Sequence, residues 1–543
     1  MTGTEWSIPG AIDAVTAAVP DRTMLVWTST RRTYNEVQRR TRALAGFFRA
    51  RGLGVRRERI ELERWECGQS RIAIVLSNCP EYVETMLGAF RARAVPFNVN
   101  HHYNPAEVGA LLEQIGADAI VYHRRLGPML AEAGVADRLL VDVDDGSGAR
   151  PLPGSTEYES AIATATDVDA LPEPSPDDLY LVCTGGTTGR PKGVLWRQAD
   201  AYVGAMGGSE GATTASIGTG ADPGFGVWFP APPLMHAAAQ WTLFAGLHNG
   251  ATIVLHDDAQ PFSARTILET AVRERVEMIT IVGDAYARPI VEELRTRDYD
   301  LSALRQLSTG GAMTSAALKH ALLELLPDLL IVDGYGASET GGMAFGASTK
   351  GAETQRFSGA GGAVVLSADK TRVLEPGDDE IGWTARAGRV PLGYLDDRDQ
   401  TERTFPIVDG RRVAVPGDRA QLAAEGTIVL LGRDSMVINS GGEKVFVEEV
   451  EETLRRHPGV LDALVVGRPS ERFGEEVVAL VQLREGATVT PSELREFAAT
   501  SIARFKAPRA VRFCDRIGRH PSGKADYRWA REAARAAIPA GEQ

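Results

Sequence analysis

The sequence predicts an α/β protein: a large N-terminal region of layered α/β subdomains with mostly parallel sheets, followed by a small C-terminal α/β unit. Three features predict it. Short apolar runs alternate with longer helix-periodic stretches through most of the chain. The runs are apolar throughout instead of alternating with polar residues, which is how strands buried on both faces read. Near residues 432–435 the alternation restarts on a smaller scale. A chain of 543 residues is also too long for one ordinary domain.

Taken in order, residues 71–76 (RIAIVL) form a first predicted strand, with a helix around 82–93. Further strands are predicted at 119–122, 251–255, 278–282 and 329–332, and a helix at 261–275. Such alternation layers helices on sheets. Segment 426–431 reads as a closing strand. Beyond it, helices at 447–457 and 491–503 and strands at 461–466 and 477–483 describe a unit of roughly 110 residues, within the usual domain range. The expected division is therefore 1–433 and 434–543. Residues 144–153, rich in Gly, Asp and Pro, read as a loop. Residues 205–226 are dominated by small residues and are long for a connection; they read either as a mobile lid or as a disordered surface loop. Residues 56–66 are densely charged, a solvated helix or an excursion. Residues 536–543 are expected to fray.

Composition excludes several classes. Hydrophobic residues make up 43% and charged residues 24%, as in ordinary globular proteins. A net charge of −13 argues against sequence-independent nucleic-acid binding, which needs basic surface. Cys67, Cys79, Cys183 and Cys514 are scattered, so neither a zinc site nor a disulfide framework is expected. The first ten residues lack a basic stretch followed by an apolar core, and no signal peptide is expected. No run approaches ~18 apolar residues, so no membrane span is expected. A cytoplasmic enzyme is the default expectation, with peripheral membrane contact and a homodimer left open.

Five motifs carry chemistry. The first is Thr184-Gly185-Gly186-Thr187-Thr188-Gly189-Arg190-Pro191-Lys192-Gly193, after the apolar run 179–183. Clustered glycines let backbone N–H groups approach phosphate oxygens, threonine hydroxyls add donors, and Lys192 adds charge. It is not a Walker A loop, where Gly-Lys is followed by Ser or Thr; here Lys192 precedes Gly193. The second is Asp333-Gly334-Tyr335-Gly336-Ala337-Ser338-Glu339-Thr340: Tyr335 offers a flat ring, Glu339 a hard oxygen suited to Mg²⁺. The third, Pro416-Gly417-Asp418, is an everyday turn when taken alone, though its carboxylate could accept from ribose hydroxyls. The fourth runs from Gly432-Arg433-Asp434 into Asn439-Ser440-Gly441-Gly442-Glu443-Lys444, and the fifth is Pro521-Ser522-Gly523-Lys524. A lysine on a Pro/Gly turn is by itself usually solvated surface.

In this order, these motifs resemble the adenylate-forming superfamily of acyl-CoA synthetases, luciferases and peptide-synthetase adenylation domains, over nearly the whole chain. The resemblance implies ATP, Mg²⁺ and coenzyme A, with no side-chain nucleophile. It implies that Thr184, Gly185, Gly186, Thr187, Thr188, Gly189 and Lys192 grip the β- and γ-phosphates. Gly334, Tyr335 and Gly336 lie at adenine, Thr340 at the α-phosphate and Glu339 at Mg²⁺. Asp418 and Arg433 hold ribose. Gly310 and Gly311 line the acyl and adenine pocket. Lys524 bridges carboxylate and α-phosphate. His236, otherwise readable as a satisfied core histidine, resembles the family's position near the carboxylate. The resemblance further implies that the small domain rotates about Asp434–Ser435 for the second half-reaction. Lys444 would then be a coenzyme A or interdomain contact. Ser435 departs from the family's pattern. So do the charged stretch 56–69, which looks inserted, and residues 91–95, where relatives carry a glycine turn.

Residues 194–197 and 283–289 resemble a bacterial subgroup of fatty-acid and steroid side-chain ligases. Tyr286, Trp241 and Gly310 would then line an apolar acyl pocket. Two alternatives are an acyl-AMP ligase that loads a carrier protein and a non-catalytic acyl or nucleotide binder. The absence of a carrier domain after Lys524 favours free coenzyme A over the first. Intact Lys192, Glu339, Asp418 and Lys524 disfavour the second.

Overall fold

The computed structural model describes residues 5–166, 168–185, 191–221, 226–260, 262–352, 357–433, 436–440, 443–470, 474–502, 504–520 and 523–535. Its spine is a nine-stranded sheet. Six parallel strands run in the spatial order Leu330–Ala337, Gln306–Gly310, Met278–Ile281, Val227–Pro230, Thr252–Leu255 and Thr23–Trp27. Antiparallel strands finish both edges. A second, wholly parallel sheet of five strands is built from Val95–Asn98, Arg71–Val75, Ala119–His123, Leu139–Val143 and Thr156–Glu157. The apolar runs predicted as strands at 71–76, 119–122, 251–255, 278–282 and 329–332 all lie in these two sheets. Their residues are buried because helices cover both faces. Pro80–Arg91, for example, buries eleven of its twelve residues.

Three sheets depart from the parallel expectation, one of them the small antiparallel sheet of Leu179–Gly185, Pro191–Arg197 and Gly393–Tyr394. Residues 363–433 form a six-stranded sheet that is antiparallel throughout. Its strands are short and mix polar with apolar residues, as in Arg411–Ala414 and Asp418–Leu422. A search for continuous apolar runs does not register such strands. The C-terminal sheet, Val437–Ser440, Glu443–Phe446, Val460–Ser470, Gly474–Leu483 and Ala510–Phe513, contains one parallel pair; its other pairings are antiparallel. Side chains alternate across it. Ala463 and Val465 pack toward Val450 and Leu454 of helix Val447–Arg455, whereas Leu464 and Val466 pack toward Ala530 of helix Tyr527–Arg535. This unit thus carries its own core on both faces.

Two further expectations change. Residues 205–226 are not a structureless surface loop where they are described. They contain helix Thr214–Gly220, opened by a Thr213/Ser216 capping box. Ile217 and Met206 are buried, Trp6 Nε1 donates to the Ala212 carbonyl at 2.8 Å, and Arg22 Nη1 donates to that of Ala221 at 2.6 Å. The charged stretch is an excursion, with one short turn at Arg59–Glu61, closed by a bridge between Val55 and Gln69. Its presence accounts for the missing glycine near residue 93. Arg93 sits at φ 55°, a left-handed conformation that favours glycine. It is held there by ion pairs to Glu58 of the excursion and to buried Asp178, both at 2.9 Å. Among the described residues no helix is long and apolar enough to cross a membrane.

Candidate active site

The first motif is the tip of a hairpin. Strands Leu179–Gly185 and Pro191–Arg197 pair antiparallel, with Thr184 opposite Lys192 and Gly185 opposite Pro191. Gly186, Thr187, Thr188 and Gly189 lie outside the described residues. The hairpin base is fixed by a residue that sequence reasoning missed. Asn98 is buried at the end of its parallel strand and accepts from Cys183 N at 2.9 Å. Its amide donates back to the Cys183 carbonyl at 2.9 Å and to the Met235 carbonyl at 2.6 Å. One amide therefore ties the first strand of the hairpin to the segment that presents His236.

The Tyr335–Thr340 motif lies where the central strand Leu330–Ala337 turns back on Gly341–Ser348. Gly336 there is sterically required, and Gly310 sits in a tight contact. A Cβ on Gly336 would lie 2.1 Å from the Gly341 carbonyl oxygen, and one on Gly310 would lie 3.0 Å from that of Gly334. Gly311 follows at φ +76°. Thr340 is fully buried and turned inward: its hydroxyl accepts from Ala337 N at 2.9 Å and donates to the Gly341 carbonyl at 3.0 Å. It shapes the turn that carries Glu339. The Tyr335 hydroxyl donates to Asp418 Oδ2 at 2.7 Å, so the residues expected at adenine and ribose are joined. Arg433 is the register partner of Asp418 on the neighbouring strand, and Lys444 that of Asn439. Asp434, Ser435, Gly441 and Gly442 lie outside the described residues.

The hairpin and the Glu339 turn are linked twice. Trp196 Nε1 donates to the Ser338 carbonyl at 3.0 Å. Tyr394, which pairs with the hairpin strand, donates its hydroxyl to Glu339 Oε1 at 2.7 Å, while Lys192 Nζ stands 5.2 Å from its ring centroid. Arg386, also missed, is buried behind the same turn. Its guanidinium donates to the carbonyls of Gly204, Thr340, Gly342 and Gly361 at 2.5 to 3.1 Å. With carbonyl partners only, burial holds it below its ordinary pKa. Its signal in the sequence was one arginine among many.

His236 precedes helix Ala237–His248. Burial, reinforced by the positive charge of Lys524 and by His102, pushes its imidazole down to about 4. The structure thus brings Lys524 within electrostatic reach of His236. Beside them lies a buried polar cluster foreshadowed only by the His101-His102 doublet. His101 Nε2 is 3.7 Å from Asp258 Oδ2. Burial pushes Asp258 up to about 6 and His101 down to about 3. The Tyr286 ring meets that of Phe262 at a tilt, with centroids 4.4 Å apart, and packs against the core cluster of the central sheet, whereas Trp241 packs against another cluster.

These histidines set an acid response. His101 falls to about 3, and His123, His236 and His248 to about 4, all mainly by burial. Their unfolded value is near 6.5, so between about pH 6.5 and 4 the unfolded chain binds protons that the folded chain does not. Stability falls as pH falls through that window, by about 1.4 kcal/mol per pH unit for each such group. Burial also lowers His102 and His256, which add to the loss, as do carboxylates that arginines hold low despite burial, such as Asp13 and Asp462; Asp258, Glu84, Asp178, Asp333 and Glu451, raised by burial, act oppositely. The melting temperature is expected to drop steadily from pH 6.5 to 4; a flat profile in a thermal scan would show these rings to be solvated.

Residues 12–382 match the model of the AMP-binding enzyme family, and residues 449–524 match that of the AMP-binding enzyme C-terminal domain. The chain is 44% identical to a protein named medium-chain acyl-CoA ligase Mig from Mycobacterium avium, covering 98% of this chain and 99% of that one. It is 38% identical to a 3-oxocholest-4-en-26-oate–CoA ligase of Rhodococcus rhodochrous, covering 95% and 93%. Among solved structures it is similar to the anthranilate CoA ligase AuaEII in complex with anthranoyl-AMP. That match has a TM-score of 0.78 at 18% identity and covers 98% of this chain and 97% of that one.

Proposed function

Because the chain belongs to the AMP-binding enzyme family, we propose that it activates a medium- or long-chain fatty acid, or a steroid bearing a carboxylated side chain, as its coenzyme A thioester. It is an AMP-forming acid–thiol ligase. The observation that supports the site assignment is the contact of Gly523, next to Lys524, with Ala285 and Val282 of the N-terminal region, together with a hairpin and a Glu339 turn that are bonded to each other.

In the first half-reaction a carboxylate oxygen of the acid attacks the α-phosphorus of ATP. The bond to the bridging oxygen breaks, and pyrophosphate leaves with its electron pair. Negative charge gathers on the phosphate oxygens, so the protein's task is positioning and charge compensation. Thr184, Lys192 and the loop between them hold the leaving phosphates. Asp418, oriented by Tyr335, accepts from ribose hydroxyls. Lys524 bridges the incoming carboxylate and the α-phosphate. His236 is neutral and adds no competing charge. In the second half-reaction the thiol sulfur attacks the acyl carbon and AMP leaves; we assign this step to a rotated arrangement of residues 434–543 against 1–433.

The site suits Mg²⁺. Glu339 offers a hard carboxylate, and among the described residues no cluster of three or more His, Cys, Asp or Glu forms a closed metal cage. A cation here would be held by Glu339, phosphate oxygens and water, as Mg²⁺ commonly is. Bound there, Mg²⁺ would neutralise charge on the phosphates.

The names of the relatives and the apolar surroundings of Tyr286 and Trp241, each packed against a hydrophobic core cluster, support the substrate class. The test is acyl-CoA formation across medium-chain, long-chain, steroid, aryl and amino acids. The best kcat/KM is expected for a fatty or steroid acid, with aryl and amino acids about 10²-fold lower. Activity confined to aryl or amino acids would overturn the substrate assignment.

A further inference from the structure

Helix Gly283–Thr296 touches the opposite end of the chain with its first turn. A Cβ built on Gly523 would lie 2.7 Å from Ala285 Cβ and 3.9 Å from the Val282 carbonyl oxygen. Gly523 is buried there, at φ +77°, in a tight turn closed by Gly523 N donating to the His520 carbonyl at 2.8 Å. Two glycine-sized surfaces therefore meet immediately before Lys524.

We propose that the first turn of helix Gly283–Thr296 is the seat on which the Lys524 turn docks for adenylation, and that the small side chain of Ala285 sets how closely Lys524 approaches the site. This rests on the adenylation role assigned to Lys524.

Both sides of the contact are rigid. On the seat, Gly283 N donates to Thr309 Oγ1 at 3.2 Å, Asp284 N to the Met313 carbonyl at 3.1 Å, and Ser315 N to Asp284 Oδ1 at 2.7 Å. The seat is thereby fastened to the Gly310–Gly311 loop. On the docking side, Arg519 donates to the Gly523 carbonyl at 3.1 Å and pairs with Asp462 at 2.6 Å; Asp462 also pairs with Arg455 at 3.2 Å. Burial alone would lower the pKa of Arg455, but the carboxylates of Glu451, Asp462 and Asp284 together hold it above its ordinary value. Asp284, on the seat, thus faces a cation of the C-terminal unit. An ion-pair chain runs from the Lys524 turn through Arg519, Asp462 and Arg455 to the field of Asp284, and the Ala285–Gly523 contact closes it.

A larger side chain at 285 wedges the two surfaces apart. Displacement of about 1 Å at a reacting geometry costs about 10²-fold. The seat is used only when Lys524 is in place, so the thioester step needs none of it. The experiment is an Ala285→Gly, Ala285→Val and Ala285→Leu series in the full-length enzyme. ATP–pyrophosphate exchange reads adenylation, and conversion of supplied acyl-adenylate to acyl-CoA reads the second step. Exchange is expected to be near wild type for Gly and to fall about 10²-fold for Val and further for Leu, with the second step within twofold of wild type. The retained second step also shows that the variants are folded. Unchanged exchange in Val and Leu, or equal loss of both steps, overturns the seat. Lys524→Ala run alongside separates the two ideas: if it keeps full exchange, the role of Lys524 is wrong, whereas if it loses exchange and Ala285→Leu does not, only the seat is wrong.

Discussion

Lys524→Ala is expected to lower adenylation by about 10³-fold while ATP affinity stays close to wild type. The side chain is exposed, on a turn whose conformation is set by Gly523 and Arg519, so its loss removes little from folding stability. Its charge matters where negative charge develops. Carboxylate and α-phosphate repel each other until a cation stands between them, and that repulsion is greatest as the new oxygen–phosphorus bond forms. In the proposed assignment ATP is held mainly by groups of residues 1–433, the Thr184–Lys192 segment and Asp418, without help from the C-terminal turn. Pyrophosphate exchange should therefore collapse, while calorimetric titration with ATP and the thioester step from supplied acyl-adenylate persist. Full exchange in this variant would remove Lys524 from the reaction.

The parts of the fold legible in the sequence were those whose physics is local. The strands at 71–76, 119–122 and 278–282 announce themselves because burial on both faces makes every residue apolar. The antiparallel sheet of 363–433 does not, because half of each short strand faces polar surroundings. Helix Thr214–Gly220 is built of small residues whose composition reads as loop; the residues on either side of it are pinned by Trp6 and Arg22, some two hundred residues away. The site divides the same way. Glycine, threonine and lysine at fixed spacing make the Thr184–Lys192 segment and the residues before Lys524 stand out as short motifs. Asn98, Arg386 and Tyr394 act across the fold: Asn98 on Cys183, 85 residues distant, and Arg386 on Gly204, 182 distant. Nothing local distinguishes such residues from ordinary Asn, Arg or Tyr. His101 and Asp258 were hidden for the same reason. A buried imidazole facing a carboxylate requires two segments whose meeting only the tertiary structure reveals.

Glu339→Gln is expected to lower kcat for adenylation by about 10²- to 10³-fold, with a matching rightward shift in the Mg²⁺ concentration required. The substitution keeps the shape of the side chain and leaves an oxygen to accept from Tyr394, whose hydroxyl lies 2.7 Å from Oε1. What it removes is the negative charge, so any loss reports cation holding and not collapse of the turn, which Thr340 and Arg386 maintain independently. Tyr394→Phe makes the complementary cut. It keeps the carboxylate and the ring over which Lys192 stands, and removes only the hydroxyl that aims Glu339. A group acting through a ligand in this way is worth about tenfold to a hundredfold, so Tyr394→Phe should fall between wild type and Glu339→Gln and shift the Mg²⁺ titration in the same direction. If Glu339→Gln lost activity with an unmoved Mg²⁺ titration, the carboxylate would be acting on the turn and not on the cation. The Tyr394 bond would then be its purpose and not its support.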